Sequence, residues 1–404
     1  MKLGKAPIVF RKELLDQLRD HRTLISMIVI PILLFPVLVI GTGYLLSKWK
    51  ERTEREKIPI MLLGAEHAPA LAEFLRAKEK FDILPPRADY TARINEKELR
   101  AAVEFPAGLE ATLQAADGEP PTVVIYYYSG ELRSRMAVRE LEDALGEYTD
   151  QRVRERLAGR GLSPHLLNLF HTEEKNVASA ERVSGAVLGG LIFYLIALMS
   201  LTGAMYPAID LTAGEKERGT IEAILASPAT RTELVVGKFL AVFVISIASA
   251  LLSLASLAAT FSFPLLSTLA LRGETQSQLS LVISAKAVAA VFLMVLPLAG
   301  MFAALLLTVS VLAKSYKEAQ SYVTPLLVVM VVPVVGSLLP GVDLNARLAL
   351  VPVLNVGLVS KEILTGSYSW GQIALIFASS SVYAAAALFV AVRAFQRESV
   401  LFRT

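Results

Sequence analysis

The sequence contains no cysteine, which excludes a disulfide framework, a thiol nucleophile and a thiolate metal site. Histidine is scarce, with four in 404 residues, and the charged fraction is only 19%, against about 25% in soluble globular chains. Several motifs are also missing. No G-x-x-x-x-G-K-[ST] phosphate loop, H-E-x-x-H or G-x-S-x-G occurs, and no Ser-His-Asp grouping is plausible, so nucleotide hydrolysis, zinc peptidase and esterase chemistry have no carrier here. The net charge of +3 and the lack of a basic stripe with interleaved aromatics argue against nucleic acid as a partner. His165 and His171 are six apart, wrong for one helical face, and no carboxylates bracket them at ligand spacing, so exposed loop histidines are the simpler reading.

What is abundant is apolar sequence. Hydrophobic residues make up 54% and the mean hydropathy is +0.53. Charge is segregated: residues 48–182 hold 45 of the 77 charged residues. The remainder consists of uncharged apolar blocks. Six reach the roughly 20 residues a membrane-crossing helix needs: Leu24–Ser47, Val183–Ile209, Phe239–Leu271, Ala287–Ala313, Ala319–Val342 and Gly371–Val392. The third exceeds one span, so it is expected to leave the membrane near Pro264. The first exceeds a signal-peptide h-region and no A-x-A site follows, so it is read as an anchor. Leu348–Ser360 is too short to cross, leaving open a re-entrant or interfacial segment and a plain exposed loop. The fold expected is an α-helical polytopic membrane protein.

Lys/Arg counts in the short connectors orient the spans. One face carries fifteen, from Lys2 to Arg22, in Lys216, Arg218, Arg231 and Lys238, in Lys314 and Lys317, and in Arg393, Arg397 and Arg403. The other carries four: Arg272, Lys286, Arg347 and Lys361. The first face is therefore expected to be cytoplasmic, with both termini, and residues 48–182 extracytoplasmic. Within 48–182, Ile58–Leu63 and Thr122–Tyr128 have strand composition, while 70–80 and 131–157 have helical spacing. The expectation is a small α/β domain whose last helix is interrupted by Gly159, Gly161 and Pro164.

The spans offer little chemistry. The six blocks contain no ionisable residue; their polar groups are hydroxyls such as Ser246, Ser249, Ser253, Thr308 and Ser379, with Asp210, Asp343 and Asn355 at the margins. Such hydroxyls most often pack helices or bond to the preceding turn. Pro31, Pro36, Pro297, Pro325 and Pro333 predict kinks.

Residues 1–22 form an amphipathic pattern, with Phe10, Leu14, Leu15 and Leu18 on one face and Lys12, Asp16, Arg19 and Asp20 on the other, as for a helix on the anionic inner leaflet. The connector 215–238 reads EKERGTIEAILASPATRTELVVGK. Thr220 is placed to cap a short helix that aligns Ile221, Ile224 and Leu225. Ser227–Pro228 ends it, and Thr230 or Thr232 restarts the chain. A helix lying on lipid headgroups is the plainer reading of this amphipathicity.

This connector resembles the signature of ABC type 2 exporter permeases, and the segments RKELLDQLRDHRT (11–23) and IVIPILLFP (28–36) resemble the same family's first helix and first span. A domain between spans one and two resembles the sodium-efflux, NatB-like branch. The resemblance implies a permease in a bacterial plasma membrane that moves sodium or another small or amphipathic solute outward. It further implies a cytoplasmic ATPase subunit that binds the ATP and Mg²⁺, since this chain binds no cofactor, together with a second permease copy and membrane lipid. It assigns a coupling helix to 213–234 and contacts with the ATPase to Glu215, Glu217, Arg218, Gly219, Thr220, Glu222, Leu225, Pro228 and Arg231. The N-terminal helix, with Lys12, Glu13, Leu14, Arg19 and Asp20, flanks it. An outward re-entrant segment over 343–370 is assigned a gate formed by Pro352, Asn355, Glu362 and Gly366, whose plainer reading is a turn shielding spans five and six. A membrane relay or sensor that moves no solute is the alternative function.

Overall fold

The computed structural model describes residues 4–114, 121–163, 180–262, 285–339, 342, 344–345, 347–366 and 368–397. His165, His171, Pro164, Pro264 and Asp343 lie outside the described residues. The chain divides into two compact units, residues 46–176 and the remainder.

The membrane unit begins with α1 (Ala6–Gln17). A turn through Leu18–Asp20 leads into a helical segment, His21–Leu24, and a π-helical turn, Ile25–Val29. Then comes α2 (Ile30–Arg55). The α/β unit follows with β1 (Ile58–Leu63), α3 (Pro69–Ala77), β2 (Phe81–Leu84), α4 (Tyr90–Asn95), β3 (Ala101–Glu104), α5 (Leu109–Gln114), β4 (Val124–Tyr127) and α6 (Leu132–Gly159). The sheet order is β2-β1-β3-β4. β1 is parallel to both neighbours, with Ile58 opposite Phe81 and Ile60 opposite Ala101, and β4 is antiparallel to β3. Ile60 and Leu62 face a core with Leu75, Phe105, Leu141 and Tyr148; Met61 faces a smaller one with Ile94, Leu99 and Ala102. Burial on both faces is why β1 is a continuous apolar run rather than an alternating one. α6 closes through Gly161 at φ +69, a left-handed conformation that glycine takes without a Cβ penalty.

The membrane unit resumes with α7 (Ala180–Ile209), a π-helical turn Asp210–Gly214, α8 (Thr220–Leu225), α9 (Arg231–Ser262), α10 (Ala285–Val311), α11 (Tyr316–Leu338), α12 (Leu354–Thr365) and α13 (Trp370–Gln396). Six helices among the described residues are long and apolar enough to cross a membrane: His21–Leu45, Gly189–Glu217, Arg231–Thr260, Lys286–Val311, Tyr316–Ser337 and Trp370–Gln396. Burial sorts them. The apolar window of α10 is 72% buried and that of α11 only 12%, so α7, α9 and α10 form the centre and α2, α11 and α13 the flanks. Exposed Val328, Val332, Val37, Val382 and Phe389 on those flanks are what lipid contact requires.

Small polar residues bring α7 and α9 together. The hydroxyls of Ser200 and Ser246 lie 2.8 Å apart and Ser246 also donates to the Ser200 carbonyl. A Cβ at Gly203 would come within 2.1 Å of Ser249 Oγ. Close backbone approach through small residues is how helices pack where burial from water supplies no drive. The other hydroxyls bond mainly to helix carbonyls: Ser253 to Ser249, Thr308 to Ala304, Ser379 to Ile376. Pro31 lies just after the π-helical turn Ile25–Val29, where a widened ladder absorbs its missing N–H.

Candidate functional site

The site is built around the connector 215–238. Gly214–Glu217 continues out of the π-helical turn, and Gly219 at φ +70 reverses the chain into α8. Thr220 does not cap this helix, as the spacing predicts; it is the first helical residue, and its hydroxyl donates to the Glu215 carbonyl at 3.2 Å. Ile221 is buried and Leu225 half-buried against Val235, Val311 and Phe395, so the apolar side of α8 is spent on the ends of its own bundle rather than on lipid. The second restart is a reciprocal capping box. Glu233 accepts from the Thr230 N–H and hydroxyl, both at 2.9 Å, while the Glu233 N–H donates to Thr230 Oγ1 at 3.3 Å. Thr230, not Thr232, is the cap.

Nearly every charged side chain of the connector is bonded to another element. Lys216 donates to the Val311 carbonyl and, at 3.2 Å, to that of Ala313, which places a cation on the carbonyl-rich end of α10. Glu217 accepts from the Tyr316 N–H at 2.6 Å, at the start of α11. Arg218 pairs with Asp210 at 2.7 Å, a hydrogen bond that raises its pKa further. Asp210 in turn accepts from Gln17 of α1 at 2.9 Å. Arg231 donates to the Gln396 carbonyl at the end of α13. Glu222 is the exception: it is exposed and its carboxylate makes no ion pair or hydrogen bond among the described residues. With Ala223, Ala226 and Pro228 it forms the outer surface of the turn.

The deepest contact is ionic. Lys238, 2% exposed, lies 2.5 Å from Glu215 Oε1 and 3.2 Å from Glu13 Oε1, and those glutamates are 4% and 1% exposed. α1 reaches this cluster because Gly237 lets it close in; a Cβ there would stand 2.6 Å from Val9. Lys5 adds a backbone bond to Glu233 at 3.0 Å and a side-chain bond to the Pro228 carbonyl at 2.5 Å. The six apolar blocks hold no charged side chain, but the helices extend beyond them. The third span begins at Arg231 rather than Phe239 and the second runs to Glu217, so Glu215, Glu233 and Lys238 are inside helix ends and buried.

The N-terminal helix also turns differently. Its buried face is Ala6, Glu13 and Gln17, with Phe10 and Leu14 partly covered, while Leu15 and Leu18 are exposed at 46% and 40%. The expected apolar face is thus split between the bundle and the outside. Lys12 and Arg19 are exposed; burial pulls the Lys12 pKa down, but the Glu13 carboxylate outweighs it and the net direction is upward. Asp20 caps the next helical segment by accepting from the Thr23 N–H and hydroxyl, each at 2.9 Å. Burial opposes ionisation of Asp20, yet the Thr23 bonds prevail and lower its pKa.

Near the other end of the bundle, Leu348–Ser360 is no exposed loop. A 3₁₀ turn, Leu348–Leu350, precedes α12, and Val353 between them takes φ +71, a strained value for a β-branched residue. Asn355 is fully buried; its Nδ2 donates to the Ala349 carbonyl at 3.1 Å and to the hydroxyls of Ser379 and Ser380 at 3.3 Å. The Tyr383 hydroxyl donates to the Leu350 carbonyl at 2.6 Å, so the turn lies opposite a point about 20 Å along α13. Pro352 is exposed, Glu362 half-buried, and Gly366 at φ +72 ends α12. Pro352, Asn355, Glu362 and Gly366 therefore lie along α12 and at its two ends, with Asn355 alone of the four fully buried.

Among the described residues no group of three or more His, Cys, Asp or Glu is placed to hold a metal. Sequence reasoning missed Lys238 as the partner of Glu13 and Glu215, and Asp210 as the partner of Arg218 and Gln17. The only signal for Lys238 was its position as the last charge before a long apolar block.

Comparison with known proteins bears on this arrangement. The family model described as ABC-2 family transporter protein matches residues 8–400. A protein of Bacillus subtilis (strain 168) named ABC transporter permease protein NatB is 27% identical over 366 residues, which is 89% of this chain and 89% of the relative. No solved structure matches the chain.

Proposed function

Because the chain belongs to the ABC-2 family of transporter proteins, we propose that it is the permease subunit of an ATP-driven exporter, moved through its 215–238 connector by a separate cytoplasmic ATPase. ATP and Mg²⁺ are then bound by that partner, since no phosphate loop occurs in this sequence. The observation that carries the reading is the wiring of the connector. Glu13, Asp210, the Val311 carbonyl, the Tyr316 N–H and the Gln396 carbonyl all bond to it, with Gln17 joined through Asp210, so a push on α8 reaches the ends of five helices at once. Rigid-body motion of packed helices about such a junction is a standard route to alternating access.

The Lys/Arg bias supports a connector and termini in the cytoplasm and residues 48–182 outside. The exposed Ile8, Arg11 and Leu15 of α1, with Leu18 and Arg19 of the turn after it, suit contact with the anionic inner leaflet. The 3₁₀ turn and α12 enter and return on the outer side, and Asn355 pins that re-entrant segment as an exit gate. Two copies about a two-fold axis enclose the pathway. The solute is sodium or another small or amphipathic species; the name of the Bacillus relative supports only the permease role.

Glu217 and Arg218 hold the connector's own fold, so the informative variant is Glu222→Arg on the outer surface. Loss of ATPase co-purification and of transport in sealed vesicles, with an unchanged melting temperature, is expected. Full complex formation and transport would sink the docking surface. ATP turnover without solute movement in the wild-type complex would instead favour a relay.

A further inference from the structure

The buried charge at the root of the connector does not balance atom by atom. One ammonium, Lys238, serves two carboxylates, Glu13 and Glu215. Glu13 has help: Lys12 reaches its second oxygen at 3.2 Å, although the Lys12 side chain is 54% exposed and shared with Asp16 at 3.4 Å. Glu215 has none. Its Oε2 is buried and accepts no hydrogen bond among the described residues. Glu215 borders a small pocket walled by Ile221, Ile224, Leu225, Leu234 and Phe395. Arg231 also lines that pocket, but its guanidinium donates to the Gln396 carbonyl at 3.0 Å.

An ionised carboxylate oxygen without a donor in an apolar wall is heavily penalised, and a second carboxylate on the same ammonium adds repulsion. The group that relieves both is a proton. We infer that Glu215 binds an exchangeable proton at Oε2 in this geometry, making Glu13–Lys238–Glu215 a proton-binding site at the base of the connector. The transfer is simple: hydronium and carboxylate become water and carboxylic acid, the new O–H bond forming from an Oε2 lone pair with no change of oxidation state. Oε1 still accepts a hydrogen bond from Lys238, whose ionic partner is then Glu13.

The charged groups facing Glu215 are Glu13 and Lys12 from α1, Lys238 and Arg231 from α9, and Arg218 from its own turn; α13 presents the uncharged Phe395. A displacement of α8 that lets water into the pocket rehydrates the carboxylate and releases the proton. The inference stands on this chain alone and does not require the ATPase reading.

The test is infrared difference spectroscopy of the full chain in lipid nanodiscs across a pH titration, following the carbonyl stretch of protonated carboxyl groups. One carboxylic acid band per chain is expected to persist after the exposed carboxyl groups have ionised, and Glu215→Gln removes it. Glu13→Gln, which takes away the rival carboxylate, is expected to weaken that proton affinity tenfold or more. A band unchanged by Glu215→Gln, no such band, or one displaced by sodium at constant pH overturns the site. Should Glu215→Gln not fold, the shift in Glu13→Gln decides alone, and its absence is a refutation.

Discussion

Replacing Lys238 by methionine isolates the worth of the buried pin. Methionine fills similar volume but leaves Glu13 and Glu215, 1% and 4% exposed, facing each other without their shared ammonium. Removing one partner of a buried ion pair typically costs about 3–5 kcal/mol, because the remaining charge is stranded, whereas neutralising all partners is often harmless. Two contrasting variants follow. Lys238→Met alone should lower the melting temperature of the purified chain by about 6–10 °C, taking about 2 °C per kcal/mol for a large domain. The triple variant Lys238→Met, Glu13→Gln, Glu215→Gln should recover most of that loss. Scanning calorimetry in one detergent at one scan rate compares them fairly even where unfolding is irreversible. The reasoning fails if Lys238→Met melts within about 2 °C of the wild type, or if the triple variant melts as low as the single one.

Two further outcomes follow from local geometry. A Cβ at Gly185 would lie 2.4 Å from the Leu364 carbonyl oxygen, whereas one at Gly189 would meet only side-chain and Cα atoms at 3.4 Å and beyond. Gly185→Ala should therefore displace α12 at a cost of about 1–3 kcal/mol and speed proteolysis around 342–353, while Gly189→Ala should leave the digestion rate unchanged. The Asp20 carboxylate has a lowered pKa because the Thr23 bonds outweigh burial. Its cap thus contributes fully above the unfolded carboxylate range, near about pH 4, and that contribution disappears as pH falls through the lower folded value. Asp20→Ala should cost about 1 kcal/mol at neutral pH, with the two melting curves converging in acid; a gap that persists there contradicts the capping role.

Much of the architecture was legible because lipid imposes a length. An uncharged run of 20 or more residues has few other uses, and the six helical spans overlap the six apolar blocks. β1 was legible as a bounded apolar run, and β4 through its β-branched and aromatic composition. β2 and β3 were not. FDIL and AAVE are four residues each, too short for alternation to register, and alanine carries no strand preference. The face of α1 was misread because grouping Phe10, Leu14, Leu15 and Leu18 follows apolarity alone, while the bundle buries Glu13 and Gln17 against Lys238 and Asp210.

The order of apolar and polar segments along the chain was enough to establish a six-span membrane protein with a separate α/β unit, since transfer into hydrocarbon depends on composition over a window and not on which residues later meet. The pairing of Glu13 with Lys238, 225 positions away, has no local signature. Nor does the fact that Glu217 and Arg218 are occupied within the bundle while Glu222 is left outside. Those contacts depend on which helix ends converge, and short-range Coulomb and hydrogen-bond terms act only once packing has brought them to within a few ångströms.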